Sequence, residues 1–458
     1  MHYIVFKLPL SLALSGIILM VSLQSGKSAQ TATNSNYINS VKAYSLNNVI
    51  RENENLDSAW KIAVKESHRL KASHKIVSSA REMVSVAKSS YFPSLIGEGA
   101  YFKLDNTPTI PFTLPSGNDM NIPLRDDLTT AAGTIEVPIY TGGRLTQNLR
   151  ASKSSLSAAE FDEKKDILDV KINVADAYVK VLRARRGVEI SESSVNALQS
   201  HWLNVSNYYF NQLVAKNDLL ASQVSLADAQ QRLLQIQNAL DLANANYNRL
   251  LGRTFTNNVS IEELSVPETT NFDFEQLSTT ALKTRPELAA LSYESQALRH
   301  QAQAVRAEKY PQIGARGGVF WANDTIFERD YGVGAGVVAK WNIFDFGLIR
   351  HKASAIDEKA ESINAIREDT TANIRLEVRQ VWLEVNEASK RIGVTRKALE
   401  LADENYRISQ ERYQNHTGTN TEVLDSETLR IRSLANYYNA VYDTVFAMLR
   451  MRRTVGDL

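Results

Sequence analysis

The strongest constraint on the fold is that the second half of this 458-residue chain repeats the first. Four residues recur 218 positions further on: Ala63, Leu70, Ala72 and Pro93 return as Ala281, Leu288, Ala290 and Pro311. Six more recur 204 positions further on: Ile139, Gly143, Tyr209, Leu220, Ser222 and Gly252 return as Ile343, Gly347, Tyr413, Leu424, Ser426 and Gly456. Because the two separations differ by 14, a single gap of 14 residues aligns the two halves, and it lies between Pro93 and Pro138. A register kept over this distance predicts two copies of one structural unit, over about 45–252 and 272–456.

The repeat divides the chain into four parts. Residues 1–29 are assigned to a signal peptide, since a weakly basic start precedes an apolar run from Leu8 to Leu23 and then small residues up to Ala29. A membrane anchor is the alternative, but the run is short and contains serines. The first repeat then covers 30–252, a linker 253–271, and the second repeat 272–458. No later stretch reaches the length of a membrane helix, so strands would have to carry any membrane role.

Composition removes several classes of function. Lys and Arg number 52 against 51 Asp and Glu, so no net charge attracts nucleic acid. The absence of cysteine excludes disulfides, thiolate nucleophiles and lipid-modified cysteine. The seven histidines show no metal-ligand spacing, and GVGAGVV from Gly332 lacks the helix start and acid of a phosphate-binding loop. We therefore expect no cofactor, no metal, no nucleic acid and no enzymatic activity.

Two long segments without proline predict helical pairs, at 144–251 and 348–455. Gly187 interrupts the first and Gly393 lies near the corresponding place in the second, so we predict the helix-tip turns there. The first pair would then have arms of about 43 and 63 residues, roughly 65 and 95 Å long. Arms of this length fit a tube better than a globule.

The longer predicted arm carries a coiled-coil seam. One row repeats every seven residues and a second follows three residues later: Leu219, Leu226, Leu233, Leu240 and Tyr247, then Ser222, Ala229, Ile236, Ala243 and Leu250. Leu220, Ala227 and Leu234 adjoin this seam and widen the apolar stripe. A broad stripe can contact a helix on either side, as a ring of helices requires, although an ordinary antiparallel bundle explains the same pattern.

Alternating segments predict four strands, two in each repeat. Residues 313–321 and 331–341 alternate apolar and polar or small residues and end in aromatics, as transmembrane β-strands do. The counterparts in the first repeat are 95–104 and 128–140. Pro93 and Pro311 mark the entry to the strands. The loop between the first two strands holds the extra residues and four prolines: Pro108, Pro111, Pro115 and Pro123.

Four strands cannot close a barrel, and an open sheet edge is not tolerated in lipid. Because bacterial barrels have at least eight strands, the chain must oligomerise. The predicted fold is thus mainly α with a small β part, in two tandem repeats that each join a long helical hairpin to a β-hairpin. Three copies would form a 12-stranded β-barrel on an α-helical tunnel.

Four segments together resemble the TolC-like outer-membrane efflux proteins. They are the stretch from Leu56 to Leu95, which looks like the family's opening helix, RPEL from Arg285, LVAKNDLLASQVSLADAQQRLL from Leu213, and TNTEVLDSE from Thr419. The resemblance implies a homotrimer with its barrel in outer-membrane lipid and its helices in the periplasm. It also implies a passive exit channel for a tripartite efflux or type I secretion system, whose partners are a periplasmic adaptor and an inner-membrane transporter. One departure is that Gln212 and His416 stand where the family often has glycine.

The candidate periplasmic aperture consists of charged residues beside the predicted turns, because charge at a constriction controls passage. Arg183, Arg185 and Arg186 precede the first predicted turn, and Glu400, Asp403 and Glu404 follow the second. In the family that the chain resembles, acids in the comparable region narrow the entrance. A solvated helix face or ion pairs between helices would explain the same charges.

Two other classes of function compete with the channel. An exported coiled-coil structural protein or adhesin would explain export and heptads, but not strands with aromatic ends. An exported enzyme would need a nucleophile or an acid–base pair, and the sequence shows neither. The cargo is not identified, since drugs, metal ions, dyes and polypeptides use similar channels.

Overall fold

The computed structural model describes residues 53–107, 109–117, 119–123, 126–266, 272–323 and 330–458. The assigned signal peptide, Pro108 and the last part of the predicted linker lie outside the described residues. In the first half the elements are, in order, α1 Leu56–Glu66, α2 His68–Ser89, β1 Ser94–Lys103, β2 Thr109–Thr113, β3 Asp119–Pro123, β4 Asp127–Tyr140, α3 Arg144–Phe210 and α4 Lys216–Leu250. In the second half they are α5 Phe274–Thr284, α6 Pro286–Arg306, a short 3₁₀ turn Ala307–Lys309, β5 Gln312–Ala322, β6 Tyr331–Lys340, α7 Leu348–Gln414 and α8 Asn420–Thr454.

The helices occur in matching pairs. α3 and α7 each have 67 residues, and α4 and α8 each have 35. At 1.5 Å per residue, α3 and α7 are roughly 100 Å long. The prediction of a mainly helical fold with a small sheet part is confirmed.

The predicted turns at Gly187 and Gly393 are wrong, because α3 and α7 continue through both glycines. Glycine inside a helix costs only about 1 kcal/mol, which packing along a helix of this length outweighs. Gly187 instead allows close approach of helices, since a Cβ there would lie 3.3 Å from Ile236 Cγ2 of α4. At Gly393, a Cβ would meet nothing within 4 Å.

The chain turns at 211–215 and 415–419, beyond the C-termini of α3 and α7. Both helices end in a Schellman motif, in which two backbone N–H groups beyond the helix donate to carbonyls of its last turn. Gln212 N donates to Tyr209 O (2.9 Å), and Leu213 N donates to Tyr208 O (2.8 Å). His416 makes the equivalent bond to Tyr413 O (3.0 Å). The motif needs one left-handed residue, and Gln212 (φ 61°) and His416 (φ 58°) provide it at the two positions where glycine is common.

The long helices form one layer in the order α4, α3, α8, α7. α2 packs on α3, whereas α6 packs on both α3 and α7. The predicted seam of α4 faces its partners, because its two rows are buried or half-buried. Leu220, Ala227 and Leu234 beside that seam are exposed. The layer therefore has two free edges, α4 and α7.

The largest core cluster lies where α1, α3, α4 and α8 meet, around Trp60, Tyr178 and Tyr247. The segment that follows α4 closes this core. The Tyr178 hydroxyl reaches Glu54 O (2.9 Å) and Glu262 O (2.7 Å), beside the parallel bridge between Glu54 and Ile261.

Strands occur at the four places where the alternation predicts them, and they form one antiparallel sheet in the order β1-β4-β5-β6. β1 and β5 begin at Ser94 and Gln312, directly after Pro93 and Pro311. The predicted loop between the first two strands contains a further hairpin, β2 paired with β3, which the sequence analysis did not predict. β1 and β6 are the free edges of the larger sheet.

Candidate functional site

One face of the sheet carries no charged side chain over a length that matches a membrane. Its residues, read from the strand register, are Leu95, Gly97, Gly99, Tyr101, Thr129, Ala131, Gly133, Ile135, Val137, Ile313, Ala315, Gly317, Val319, Trp321, Tyr331, Val333, Ala335, Val337 and Ala339. Lys103 and Asp127 extend this row past Tyr101, at the loop end. Ten strand residues tilted by about 40° rise roughly 25 Å, the height of the apolar band of a membrane barrel. This face is therefore suited to lipid.

Exposed aromatic residues lie at both ends of the sheet. The loop end carries Tyr101, Phe102, Phe320, Trp321 and Tyr331, and the helix end carries Phe92, Tyr140, Tyr310, Trp341, Phe344 and Phe346. Trp341 Nε1 donates to Lys309 O (3.0 Å), which fixes the indole at the junction with the helices. Aromatic rings at both boundaries are typical of strands that cross a membrane.

The opposite face of the sheet carries the charges. Glu136 and Arg316 form an ion pair across β4 and β5. Glu98 on β1 is exposed and has no ion-pair partner among the described residues. Lys340 ends β6 on this same face, close to the helices. A charged face opposite a lipid-facing one is suited to the water-filled lumen of a barrel.

The hairpin ends hold a small core of their own, which we call the tip cluster: Val205, Tyr413 and Val423, with His201 and Asn420 beside them. His201 Nε2 lies 2.7 Å from Asn420 Oδ1, and its ring centroid is 5.1 Å from that of Tyr413. Asn420 Nδ2 in turn donates to Asp218 O (3.1 Å). Burial lowers the pKa of His201, and its bond to Asn420 only partly opposes this. The cluster joins the two hairpins, since these residues come from α3, α7, α8 and the start of α4.

The structure does not bring the three arginines of the predicted aperture to the hairpin ends. Arg183 and Arg186 lie 27 and 24 residues before Phe210, the last residue of α3, and so roughly 40 and 36 Å from that end. Arg185 lies between them and donates to Val259 O (3.1 Å) and Ile261 O (3.3 Å).

The other two arginines hold helices together. Arg183 pairs with Asp443 (2.5 Å), and Arg391 pairs with the same carboxylate (2.6 Å). Arg186 stacks on the Tyr438 ring at 4.6 Å. The prediction placed these arginines at the tip because it placed the turn at Gly187, so one error caused the other.

The acids of the predicted aperture lie closer to the end of α7. Glu400 and Glu404 are 14 and 10 residues before Gln414, roughly 21 and 15 Å from the helix end, and Asp403 lies between them. Glu400 pairs with Lys397 (3.1 Å). The Arg407 guanidinium binds both carboxylate oxygens of Glu404 (2.6 and 2.8 Å) and holds the pKa of that carboxyl below its usual range.

The acids that directly follow the observed turns are not among the residues predicted for the aperture. Asp218 lies in the first turn of α4, and Glu422 and Asp425 lie in the first two turns of α8. Glu422 is 3.3 Å from Arg412, and its N–H donates to the capping hydroxyl of Thr419 (3.2 Å). Asp425 is exposed and makes no ion pair with any residue that the structure describes. The capping threonine is the sequence signal that could have located this helix start.

Within the described ranges, no helix is long and apolar enough to cross a membrane. The same residues contain no group of His, Asp or Glu side chains that could hold a metal ion.

A lipid-suited sheet with aromatic boundaries, joined to helices of roughly 100 Å, defines a channel subunit of the outer-membrane type. Residues 60–253 and 277–457 match the family model described as outer membrane efflux protein, so each half of the chain is matched. The chain belongs to the outer membrane efflux protein family. This family consists of channels rather than enzymes, and it places the chain in the outer membrane with its helices in the periplasm.

Solved structures show the same fold at low sequence identity. The Campylobacter jejuni CmeC outer membrane channel is 14% identical with a TM-score of 0.75, and the match covers 95% of this chain and 90% of that one. The outer-membrane channel OprN is 16% identical with a TM-score of 0.74, covering 88% and 90%. VceC from Vibrio cholerae is 16% identical with a TM-score of 0.73, covering 88% and 96%.

A curated relative matches over a short segment. Nodulation protein T from Rhizobium leguminosarum bv. viciae is 30% identical over 117 residues, which are 24% of each protein. The predicted resemblance to outer-membrane efflux proteins is confirmed, and the adhesin alternative is not supported.

Proposed function

We propose that three copies of the chain form one channel that conducts solutes passively. The channel would consist of a twelve-stranded barrel in the outer membrane and a tunnel of helices below it. A periplasmic adaptor and an inner-membrane transporter would complete a tripartite efflux or type I secretion system. Energy must come from such a partner, because the sequence carries no nucleotide-binding motif.

The observation that carries this proposal is a difference in burial between the two halves. Three small residues spaced by seven on α6, Ala290, Ala297 and Ala304, are buried between α3 and α7. Their counterparts on α2 are Ala72, Ser79 and Val86, and these are exposed. Val86 is 61% exposed, whereas Ala304 is 4% exposed. A surface that one repeat buries and the other leaves open indicates that a neighbour is missing from the single chain.

The free edge of α7 shows the same difference. Val394 is 70% exposed, whereas its counterpart on α3, Ile190, is 7% exposed because α4 and α8 flank α3. On the other free edge, Leu242 of α4 is exposed, while its counterpart Phe446 packs against the main core. Within one chain, α6 contacts both α3 and α7. The duplication therefore predicts that the next copy supplies an α7 to cover α2 and α4.

This contact joins two different surfaces, so repeating it closes a ring or extends without limit. Joining β6 of one copy to β1 of the next removes both open sheet edges and requires a ring. Two copies would give eight strands, a barrel that its own side chains fill. Three copies give twelve strands, the smallest multiple that leaves a lumen for solutes.

Acids at the hairpin ends are proposed to narrow the periplasmic entrance. Asp218, Glu422 and Asp425 lie at the tips. Asp403 and Glu404 lie farther from the tips, 11 and 10 residues before the end of α7. Threefold symmetry would triple each charge, and the resulting field would act on solutes that enter.

A disulfide between copies tests the ring. Ser154 Oγ and Gln296 Oε1 are 3.1 Å apart where α3 meets α6. The duplication maps this contact onto Glu358 of one copy and Ser78 of the next. Because the chain has no cysteine, S78C/E358C should form covalent trimers on oxidation, without background disulfides.

S154C/Q296C is the matched control, and it should oxidise only within one chain. A second pair, E82C/H351C, derives in the same way from the contact between Gln147 and His300 (2.9 Å). Covalent species that stop at dimers, or that extend beyond trimers, would show that the number of copies is wrong. Monomers from both pairs between copies, alongside an oxidised control, would overturn the ring.

A further inference from the structure

The charged face of the sheet contains one acid that nothing balances. Glu136 and Arg316 neutralise each other across β4 and β5. Glu98 lies in the middle of β1, directly opposite Ala132, and its diagonal neighbours on β4 are Thr130 and Thr134. None of these can neutralise a carboxylate. The described charges near the middle of this face therefore sum to one negative charge per chain.

The strand that would close the barrel beside Glu98 carries only glycines on this face over its first half. On the charged face, β6 presents Gly332, Gly334 and Gly336 in its first half, and Val338 and Lys340 in its second half. Phe320 covers the first of these, since a Cβ on Gly332 would lie 2.2 Å from Phe320 Cε1. When β6 of one copy pairs with β1 of the next with Glu98 at the level of these glycines, the carboxylate stands beside bare backbone, in contact with the water of the lumen, and Lys340 lies at the helix end of β6.

We propose that Glu98 determines the charge selectivity of the barrel: three copies form a ring of carboxylates that admits cations in preference to anions. This inference rests on the proposed trimeric pore. The three Glu98 carboxylates would select for charge within the membrane part of the channel, and they are distinct from the acids at the helix tips.

The size of the effect follows from the geometry of the ring. Twelve strands about 4.8 Å apart and tilted by about 40° give a backbone radius of about 12 Å. Each carboxylate reaches about 5 Å inward, so three charges lie about 7 Å from the axis. In water with a Debye length of about 8 Å at 0.15 M salt, the ring favours monovalent cations over anions roughly tenfold. At 1 M salt the Debye length is about 3 Å and the preference falls to about twofold.

Planar-bilayer recordings of the full-length protein in a potassium chloride gradient test the proposal. E98Q should lower the ratio of cation to anion permeability roughly tenfold at 0.15 M salt and about twofold at 1 M. E136Q/R316Q is the matched control, because it removes two charged side chains from the same face without changing the net charge. E98Q/A132E should restore the wild-type ratio, since Ala132 is directly opposite on the same face.

A second measurement separates the barrel from the helix tips. Hexaamminecobalt(III), added on the side of the strand loops, reaches the Glu98 ring before it reaches the tips. E98Q should weaken this block at least tenfold, and E136Q/R316Q should leave it unchanged. Conducting E98Q channels with wild-type permeability ratio and wild-type block would overturn the role of Glu98. Wild-type protein that forms no channels would instead overturn the proposed pore.

Discussion

Replacing His201 by alanine should loosen the hairpin ends. The imidazole is 5% exposed and lies between α3, α7 and α8. Removing a buried ring of this size costs about 2–3 kcal/mol through lost packing and the cavity left behind. Asn420 Oδ1 would also lose its donor, and an unpaired buried acceptor costs about 1–3 kcal/mol. The seam between the hairpins should lose about 3–4 kcal/mol in total.

Amide hydrogen exchange measures this loss locally. A destabilisation of about 3 kcal/mol makes hydrogen exchange more than a hundredfold faster at those amides that exchange through opening of the tip. The acceleration should appear at the Schellman donors Gln212 and His416 and be absent from β4 and β5. H201Q is the control, because an amide nitrogen can occupy nearly the position of Nε2 and keep the bond to Asn420. Acceleration below about threefold in H201A would refute the role of this contact.

The same residue makes the tip sensitive to acid. Burial lowers the pKa of His201 in the folded state, so the open state binds a proton more readily. The contribution of neutral His201 to the stability of the tip is therefore fully present above about pH 6.5, the usual pKa of histidine. It is lost as the pH falls towards the lowered pKa of His201 in the folded state. The titratable groups facing the cluster are Asp218, Tyr208, Tyr406, Tyr413 and His416. Exchange at the tip, corrected for intrinsic rates, should accelerate below pH 6.5 in wild type and in H416Q but not in H201Q.

Three further substitutions test packing elsewhere. Gln212→Gly should stabilise the first turn by about 0.5–1 kcal/mol, because it relieves left-handed backbone strain, and hydrogen exchange at Leu213 should slow; a faster rate would contradict the strain. Gly393→Ala should stabilise α7 by about 1 kcal/mol in thermal unfolding, whereas Gly187→Ala should gain less because its Cβ meets Ile236; equal gains would argue against that contact. Arg285→Ala should destabilise the base of α6 by about 3–5 kcal/mol, since the buried guanidinium binds Glu287 and Glu377 at 2.9 Å, and wild-type thermal stability would show that the pairs contribute little.

Period-two alternation located the strands well, because one face must satisfy lipid and the other water. Alternation of Ile313, Ala315 and Gly317 with Arg316 is a local property that the sequence displays directly. The hairpin of β2 and β3 was missed, because prolines and a short span resemble a loop. Pairing in such a hairpin depends on register rather than on composition.

The helix turns were mislocated because glycine was treated as the only residue suited to a turn. Gly187 costs little in a long packed helix, while Gln212 and His416 take the left-handed conformation that glycine usually supplies. Gln212 and His416 were recognised as replacing the family's usual glycines. Neither residue type is itself a turn signal, so the turns were not predicted there. Thr419, which caps α8, was the better local signal.

The tip cluster could not be predicted from local sequence. His201 and Asn420 are 219 positions apart, and only the packing of α3 against α8 brings them together. The free edges, in contrast, become visible once the duplicated halves are compared. Val86 and Ala304 are counterparts in sequence, and their different exposure identifies the surface that a second copy covers.

Charge at the periplasmic entrance should depend on Asp425 rather than on Glu404. Glu404 lies roughly 15 Å from the C-terminal end of α7, where it shares Arg407 with Glu411. E404A removes one negative charge, but this charge lies roughly 15 Å from the helix end, about twice the Debye length of about 8 Å at 0.15 M salt, so the potential at the opening changes little. Asp425 is the sixth residue of α8, exposed and without an ion pair among the described residues.

Three copies would bring three such unbalanced carboxylates to one opening. D425A should therefore weaken block by divalent cations added from the periplasmic side several-fold, and E404A should leave that block unchanged. D425N separates charge from side-chain volume, because it keeps the shape and removes only the charge. Equal loss of block in E404A and D425A would show that an acid roughly 15 Å from the end of α7 acts on the entrance as strongly as one at the tip.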